Sequence, residues 1–108
     1  MNNNSQFIPL VNQQELYNGF NKNFEVNGNN FLLIQENNKV YLIENKCGHF
    51  GVRLDDARLE ENSLIICKQH GISFDLSTGE VINRPWENCD PINIIKFIIK
   101  DNMLGFVN

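Results

Sequence analysis

The hydrophobic positions of this chain fall in short runs separated by asparagine, aspartate and glycine, a pattern of strands and tight turns with almost no helical period. Asn27-Gly28 separates Phe24-Glu-Val26 from Phe31-Leu-Leu-Ile34. Such a pair suits the two central positions of a hairpin turn, both of which need positive φ. Glu36-Asn-Asn-Lys39 stands in the same way before Val40-Tyr-Leu-Ile43, and Asp101-Asn102 separates a strand over Ile94–Ile99 from one over Leu104–Val107. Leu64-Ile-Ile-Cys67 reads as a further strand, and Phe74-Asp-Leu, Ser77-Thr-Gly79-Glu and Val81-Ile82 together read as another hairpin. Gln13 to Tyr17 offers either one helical turn or an irregular segment. The chain has nineteen asparagines, clustered at these breaks. Because asparagine tolerates left-handed backbone, the clusters read as hairpin tips before they read as disorder. Met1–Ser5 are expected to fray. The predicted fold is all-β, a small antiparallel β-sandwich or barrel forming a single domain over residues 1–108.

Length and composition agree with one compact unit. A chain of 108 residues buries roughly 65% of its unfolded surface, enough for a modest core. Its 42% hydrophobic and 20% charged residues are ordinary for a globular protein. The formal charge is −4 and lysine and arginine form no dense run, so nucleic acid is not an expected partner. The longest apolar-rich stretch, Ile92 to Ile99, is broken by Asn93 and Lys96 and is too short to span a bilayer. The first residues lack the basic and apolar regions of a secretory signal. A cytoplasmic monomer with no membrane association is the expectation. Asp55, Asp56, Glu60 and Glu61 gather in one stretch, while Lys46 and Lys68 flank the cysteines. That asymmetry reads either as a dipole that steers a partner or as a solvated mixed surface.

The chemistry concentrates in two short pairs, Cys47-Gly-His49 and Cys67-Lys-Gln-His70, with seventeen residues between them. They use both histidines and two of the three cysteines. One soft thiolate and one imidazole from each of two loops suit an iron–sulfur cluster or zinc, and do not suit magnesium or calcium. A structural zinc clasp is the main alternative, yet the single residue between Cys47 and His49 is shorter than common zinc spacings. In a Cys-x-His pair both side chains leave one turn, and a binuclear centre lets each reach a different metal. Gly51 and Gly71 allow sharp turns that bring amide N–H groups towards sulfur. The third cysteine, Cys89, has no histidine beside it and reads as a thiol packed near the loops.

The surrounding residues narrow the choice. Cys47-Gly-His49-Phe-Gly51-Val-Arg-Leu54 and Cys67-Lys-Gln-His70-Gly71-Ile-Ser-Phe74-Asp75, followed by Thr78-Gly79 and later by Pro85, closely resemble the Rieske family, in its soluble ferredoxin branch. The resemblance implies a β-sandwich base with an inserted cluster-binding subdomain at about residues 44–85. It also implies a Rieske 2Fe-2S cluster, with Cys47 and Cys67 on one iron and His49 and His70 on the other, more exposed one. High-potential members carry two further cysteines in a disulfide between the loops, at positions that are Val52 and Gln69 here. They also place serine and tyrosine hydroxyls, which donate to sulfur, where this chain has Ile72 and Phe74. Fewer such hydrogen bonds lower the reduction potential. Lys68 stands where the family often has proline. Trp86, after Pro85, reads as a packing residue or a shield for the cluster.

With both histidines assigned to the cluster, none remains for the 2-His-1-carboxylate site with which non-haem iron oxygenases activate oxygen. The expected function is therefore a one-electron carrier without a substrate site, shuttling from a reductase to a terminal oxygenase or related oxidoreductase. The small subunit of an assimilatory nitrite reductase and a redox-sensing interaction module are the alternatives.

Overall fold

The computed structural model describes residues 6–48, 53–60, 62–68, 71–83 and 89–107. Among them, nine strands form three antiparallel sheets of three. Strand β1 (Phe7–Asn12) pairs with β9 (Met103–Val107), which pairs with β8 (Phe97–Lys100). Strands β2 (Asn21–Val26), β3 (Asn29–Glu36) and β4 (Lys39–Glu44) make a meander. The third sheet is built of β5 (Arg58–Glu60), β6 (Leu64–Ile66) and β7 (Ser73–Asp75). The expected Met1–Ser5 segment lies outside the described residues, and no described helix is long and apolar enough to cross a membrane.

Three of the turns are those expected from the asparagines. Val26 pairs with Asn29, Glu36 with Lys39 and Lys100 with Met103, leaving two residues in each loop. Both loop residues have positive φ in every case: 52° and 84° at Asn27-Gly28, 51° and 63° at Asn37-Asn38, 51° and 65° at Asp101-Asn102. That is the type I′ geometry, whose twist matches the strands it joins. Gln13–Glu15 forms a single 3-10 turn capped by the Asn12 side chain, which accepts from the Gln14 N–H at 2.9 Å.

The middle sheet organises the core because β3 is buried on both faces. Side chains alternate along a strand. Phe31 and Leu33 therefore join Leu42, Val11, Leu104 and Phe106 in a core shared with the β1-β9-β8 sheet. Leu32 and Ile34 point the other way, joining Ile43, Leu54, Ile65, Ile72, Phe74 and Ile92 in a second core. The unbroken apolar run from Phe31 to Ile34 reflects this double burial.

Some elements depart from the sequence reading. Strand β1 was not expected, since Pro9 interrupts its pattern; it lies at a sheet edge, where a missing N–H is tolerated, and the register slips between Pro9 and Val11. Strand β5 has only Leu59 between two charged residues and offered no periodicity. The strand expected over Ile94–Ile99 divides between sheets. Ile94 bridges Ile43 and the Ile95 N–H donates to the Leu42 carbonyl, after which Phe97 begins β8. The hairpin expected through Val81-Ile82 is reduced to one bridge, Phe74 to Val81.

The β1 and β9 backbones approach so closely at Gly105 that a Cβ there would lie 2.0 Å from the Ile8 carbonyl oxygen. Gly105→Ala is expected to cost about 2–3 kcal/mol through forced separation of the strands. A thermal melt should register a fall of roughly 10–20 °C in Tm; an unchanged Tm would contradict the packing.

Candidate metal centre

Both candidate cysteines follow directly on the ends of strands. Cys47 lies three residues beyond β4, and Cys67 immediately after β6. Each is only 1% exposed, and both belong to the second core, with Leu54, Ile72 and Phe74 in the same cluster. No disulfide joins any of the three cysteines. His49 and His70 lie outside the described residues, as do Gly51, Val52, Gln69, Pro85 and Trp86. The structure thus places both candidate sulfur donors in one core; the imidazole half of the set rests on sequence adjacency.

The second loop is a closed turn of six residues between β6 and β7. The Cys67 N–H donates to the Ile72 carbonyl at 2.9 Å, continuing the ladder beyond Ile66. The Gly71 N–H returns to the Cys67 carbonyl at 2.8 Å, and Gly71 has a φ of 65°. Glycine takes that conformation without a steric penalty, so the sharp turn expected after His70 is present, with its N–H directed at a carbonyl. Ile72 and Phe74 are fully buried and apolar, with no hydroxyl to direct at sulfur.

The first loop is held by a side chain that sequence reasoning passed over. Asn45 is 3% exposed, and its Oδ1 accepts the Leu54 N–H at 2.6 Å, spanning the base of the loop. Its Nδ2 donates to Asp55 Oδ1 at 2.7 Å, and its backbone N–H donates to the Asn30 carbonyl at 2.9 Å. A buried amide with several partners is a strong anchor, because truncation would leave the Leu54 N–H unsatisfied. Asp55 is gripped on its other side by Arg53, whose Nε and Nη2 donate at 2.9 and 2.7 Å.

Gly48, between Cys47 and His49, also went unremarked in the sequence. Its backbone lies against residue 90: a Cβ at this position would sit 1.7 Å from the Asp90 carbonyl oxygen. The Asp90 N–H donates to the Gly48 carbonyl at 3.1 Å. Cys89 is partly buried against the second core, with its Sγ 3.6 Å from the Asp90 carbonyl oxygen, which agrees with a packed thiol. Gly79, with a φ of 85°, is pressed in the same manner on Ile92 and accepts its N–H at 2.9 Å.

The charges near the site are locally matched. Asp55 faces Arg53, Glu60 lies 3.1 Å from Arg58, and Lys46 lies 3.8 Å from Glu44. Of the two electrostatic readings these contacts favour the mixed surface, since such exposed pairs contribute little individually. The donor set suits an iron–sulfur centre: two buried thiols from separate loops sharing one apolar core, each beside a backbone turn that the fold holds from outside.

The sequence profile of the family described as Rieske [2Fe-2S] domain matches residues 6–98. The ferredoxin component of an alkene monooxygenase system from Xanthobacter autotrophicus is 26% identical over 78 residues, which is 72% of this chain and 64% of that protein. The ferredoxin subunit of a 3-phenylpropionate/cinnamic acid dioxygenase from Photorhabdus laumondii is 26% identical over 69 residues, 64% of either protein. The chain thus spans somewhat under two thirds of the length of these two relatives. Among solved structures, the ferredoxin of carbazole 1,9a-dioxygenase from Nocardioides aromaticivorans superposes with a TM-score of 0.79 at 24% identity, covering 94% of this chain and 96% of its own.

The Arg53 hydrogen bonds hold the Asp55 carboxyl below its ordinary value, against the opposing effect of partial burial and with help from Asn45. A lowered folded-state pKa gives stability that is present above the unfolded value and lost as pH falls through the folded one. Wild type should therefore exceed Asp55→Asn in Tm above about pH 4, the ordinary carboxylate value, and the difference should shrink as pH falls further. A constant difference across that range would contradict the role given to the Asp55 charge.

Proposed function

Since the chain belongs to the Rieske 2Fe-2S domain family, we propose that it is a one-electron carrier, accepting an electron from a reductase and delivering it to a terminal oxygenase or related oxidoreductase. The family brings with it a Rieske-type 2Fe-2S cluster, which when bound supplies reversible one-electron transfer. Cys47 and Cys67 are the proposed sulfur ligands of one iron. His49 and His70 are the proposed nitrogen ligands of the other, within a cluster-binding region at about residues 44–85.

The observation that carries this reading is the convergence of Cys47 and Cys67, from loops twenty residues apart, in one buried core of a chain whose family binds such a cluster. Two matched relatives are ferredoxin components of a monooxygenase and of a dioxygenase system, which supports an oxygenase as the acceptor. The carrier is proposed to act as a monomer in the cytoplasm.

The residues around the sulfur donors bear on the potential. Ile72 and Phe74 present hydrocarbon to the core that holds both thiols, where a hydroxyl would stabilise the more negative reduced cluster. The midpoint potential is accordingly expected in the lower part of the roughly −150 to +300 mV range of such centres. Phe74→Tyr should raise it where the added hydroxyl reaches sulfur. Redox titration checks the value, and stopped-flow mixing of the reduced protein with an oxidised Rieske oxygenase checks the role. A midpoint above about +200 mV would contradict the hydrogen-bond argument, and failure to reduce any oxygenase partner would contradict the carrier reading.

A further inference from the structure

The β7 ladder is interrupted at the first residue of the strand, Ser73, by a side chain. The Ile82 N–H donates to the Ser73 carbonyl at 2.8 Å, as an antiparallel pair requires. The reciprocal bond is diverted: the Ser73 N–H goes to Asn83 Oδ1 at 2.9 Å, while Asn83 Nδ2 donates to the Gly71 carbonyl at 2.8 Å. One exposed carboxamide thus grips the backbone on both sides of Ile72. Gly71 is the residue at positive φ that follows His70, and its N–H closes the turn onto Cys67. This clasp opposes separation of the Gly71 carbonyl from the Ser73 N–H.

Asn83 also begins a segment whose far end grips the other loop. Asp90 is bonded to the Gly48 carbonyl, between Cys47 and His49, and leaves no space there for a Cβ. Residues 83 and 90 therefore hold different ligand loops, by hydrogen bonds and close backbone contact rather than by a covalent bridge.

We propose that Asn83 is a positioning residue that fixes the Gly71–Ser73 end of the second ligand loop, and with it the retention of the cluster. This rests on the cluster reading above. Asn83 touches neither candidate sulfur donor through any described contact and acts through Gly71 and Ser73.

The test compares holoprotein of wild type, Asn83→Ala, Asn83→Asp and Asn18→Ala. The last removes a clasp of similar form at the Asn37-Asn38 turn, where Asn18 Oδ1 accepts the Asn38 N–H at 2.8 Å. The readouts are the rate at which a ferrous chelator bleaches the visible absorbance, the EPR g values of the reduced protein, and the midpoint potential. Asn83→Ala is expected to bleach about tenfold faster, as loss of two modest hydrogen bonds implies, with shifted g values. Asn83→Asp keeps the acceptor for Ser73 but loses the donor to Gly71, and should bleach at an intermediate rate. Asn18→Ala should lower the Tm alone, leaving bleaching and g values as in wild type. An Asn83→Ala protein that behaves as Asn18→Ala does would overturn the proposal. A wild type with no cluster signal would instead overturn the reading on which it rests, so the two failures are distinguishable.

Discussion

Strand β3 carries four consecutive apolar side chains, and alternation along a strand obliges the protein to cover both faces of the sheet that contains it. One face is met by the sheet that joins the two ends of the described chain. The other is met by β6, β7 and the segments around Leu54 and Ile92, and this second core is where Cys47 and Cys67 come to lie. Full burial of a side chain such as Leu32 or Ile34 contributes roughly 1.5–3 kcal/mol. The position of the candidate metal centre is thus set by a packing requirement at the middle of the fold.

On that wall the ligand loops are shaped by hydrogen bonds from outside. Asn45 spans the first loop and Asn83 clasps the second, while Gly48 and Gly79 let the segment around residues 90–92 lie close against the first loop and the turn after β7. Each bond of this sort contributes about 1 kcal/mol. Their value lies in geometry, because a cluster bound by four side chains tolerates little movement of the backbone that carries them. Ile72 and Phe74 bring no side-chain hydroxyl to the second core, so a cluster held there gains no stabilisation of its reduced state from these two side chains.

Much of this was legible in the sequence because local chemistry dictates it. Asn27-Gly28, Asn37-Asn38 and Asp101-Asn102 announce their turns since few other residues adopt positive φ at two successive positions. Cys47 and Cys67 were expected to share one site, and both lie in the second core. Strand β1 escaped notice because its partner lies almost a full chain length away and Pro9 disguises its pattern. Asn45 and Asn83 escaped because their partners, Leu54, Gly71 and Ser73, are nine to twelve residues distant and nothing in a linear reading separates a clasping asparagine from a turn-forming one. Gly48 was hidden for a related reason: its need for glycine arises from Asp90, across the fold. The expectations placed on His49, His70, Pro85 and Trp86 lie outside the described residues.

The central claim, that two thiols gathered in the second core hold a Rieske cluster with two histidines, is tested most directly by low-temperature EPR of the dithionite-reduced protein, with iron and acid-labile sulfide assayed on the same sample. A rhombic signal from a mixed-valence 2Fe-2S centre with nitrogen ligation on one iron is expected, at two irons and two sulfides per chain. Stoichiometric zinc without an EPR signal, or a cluster whose spectrum is that of an all-cysteine centre, would contradict it.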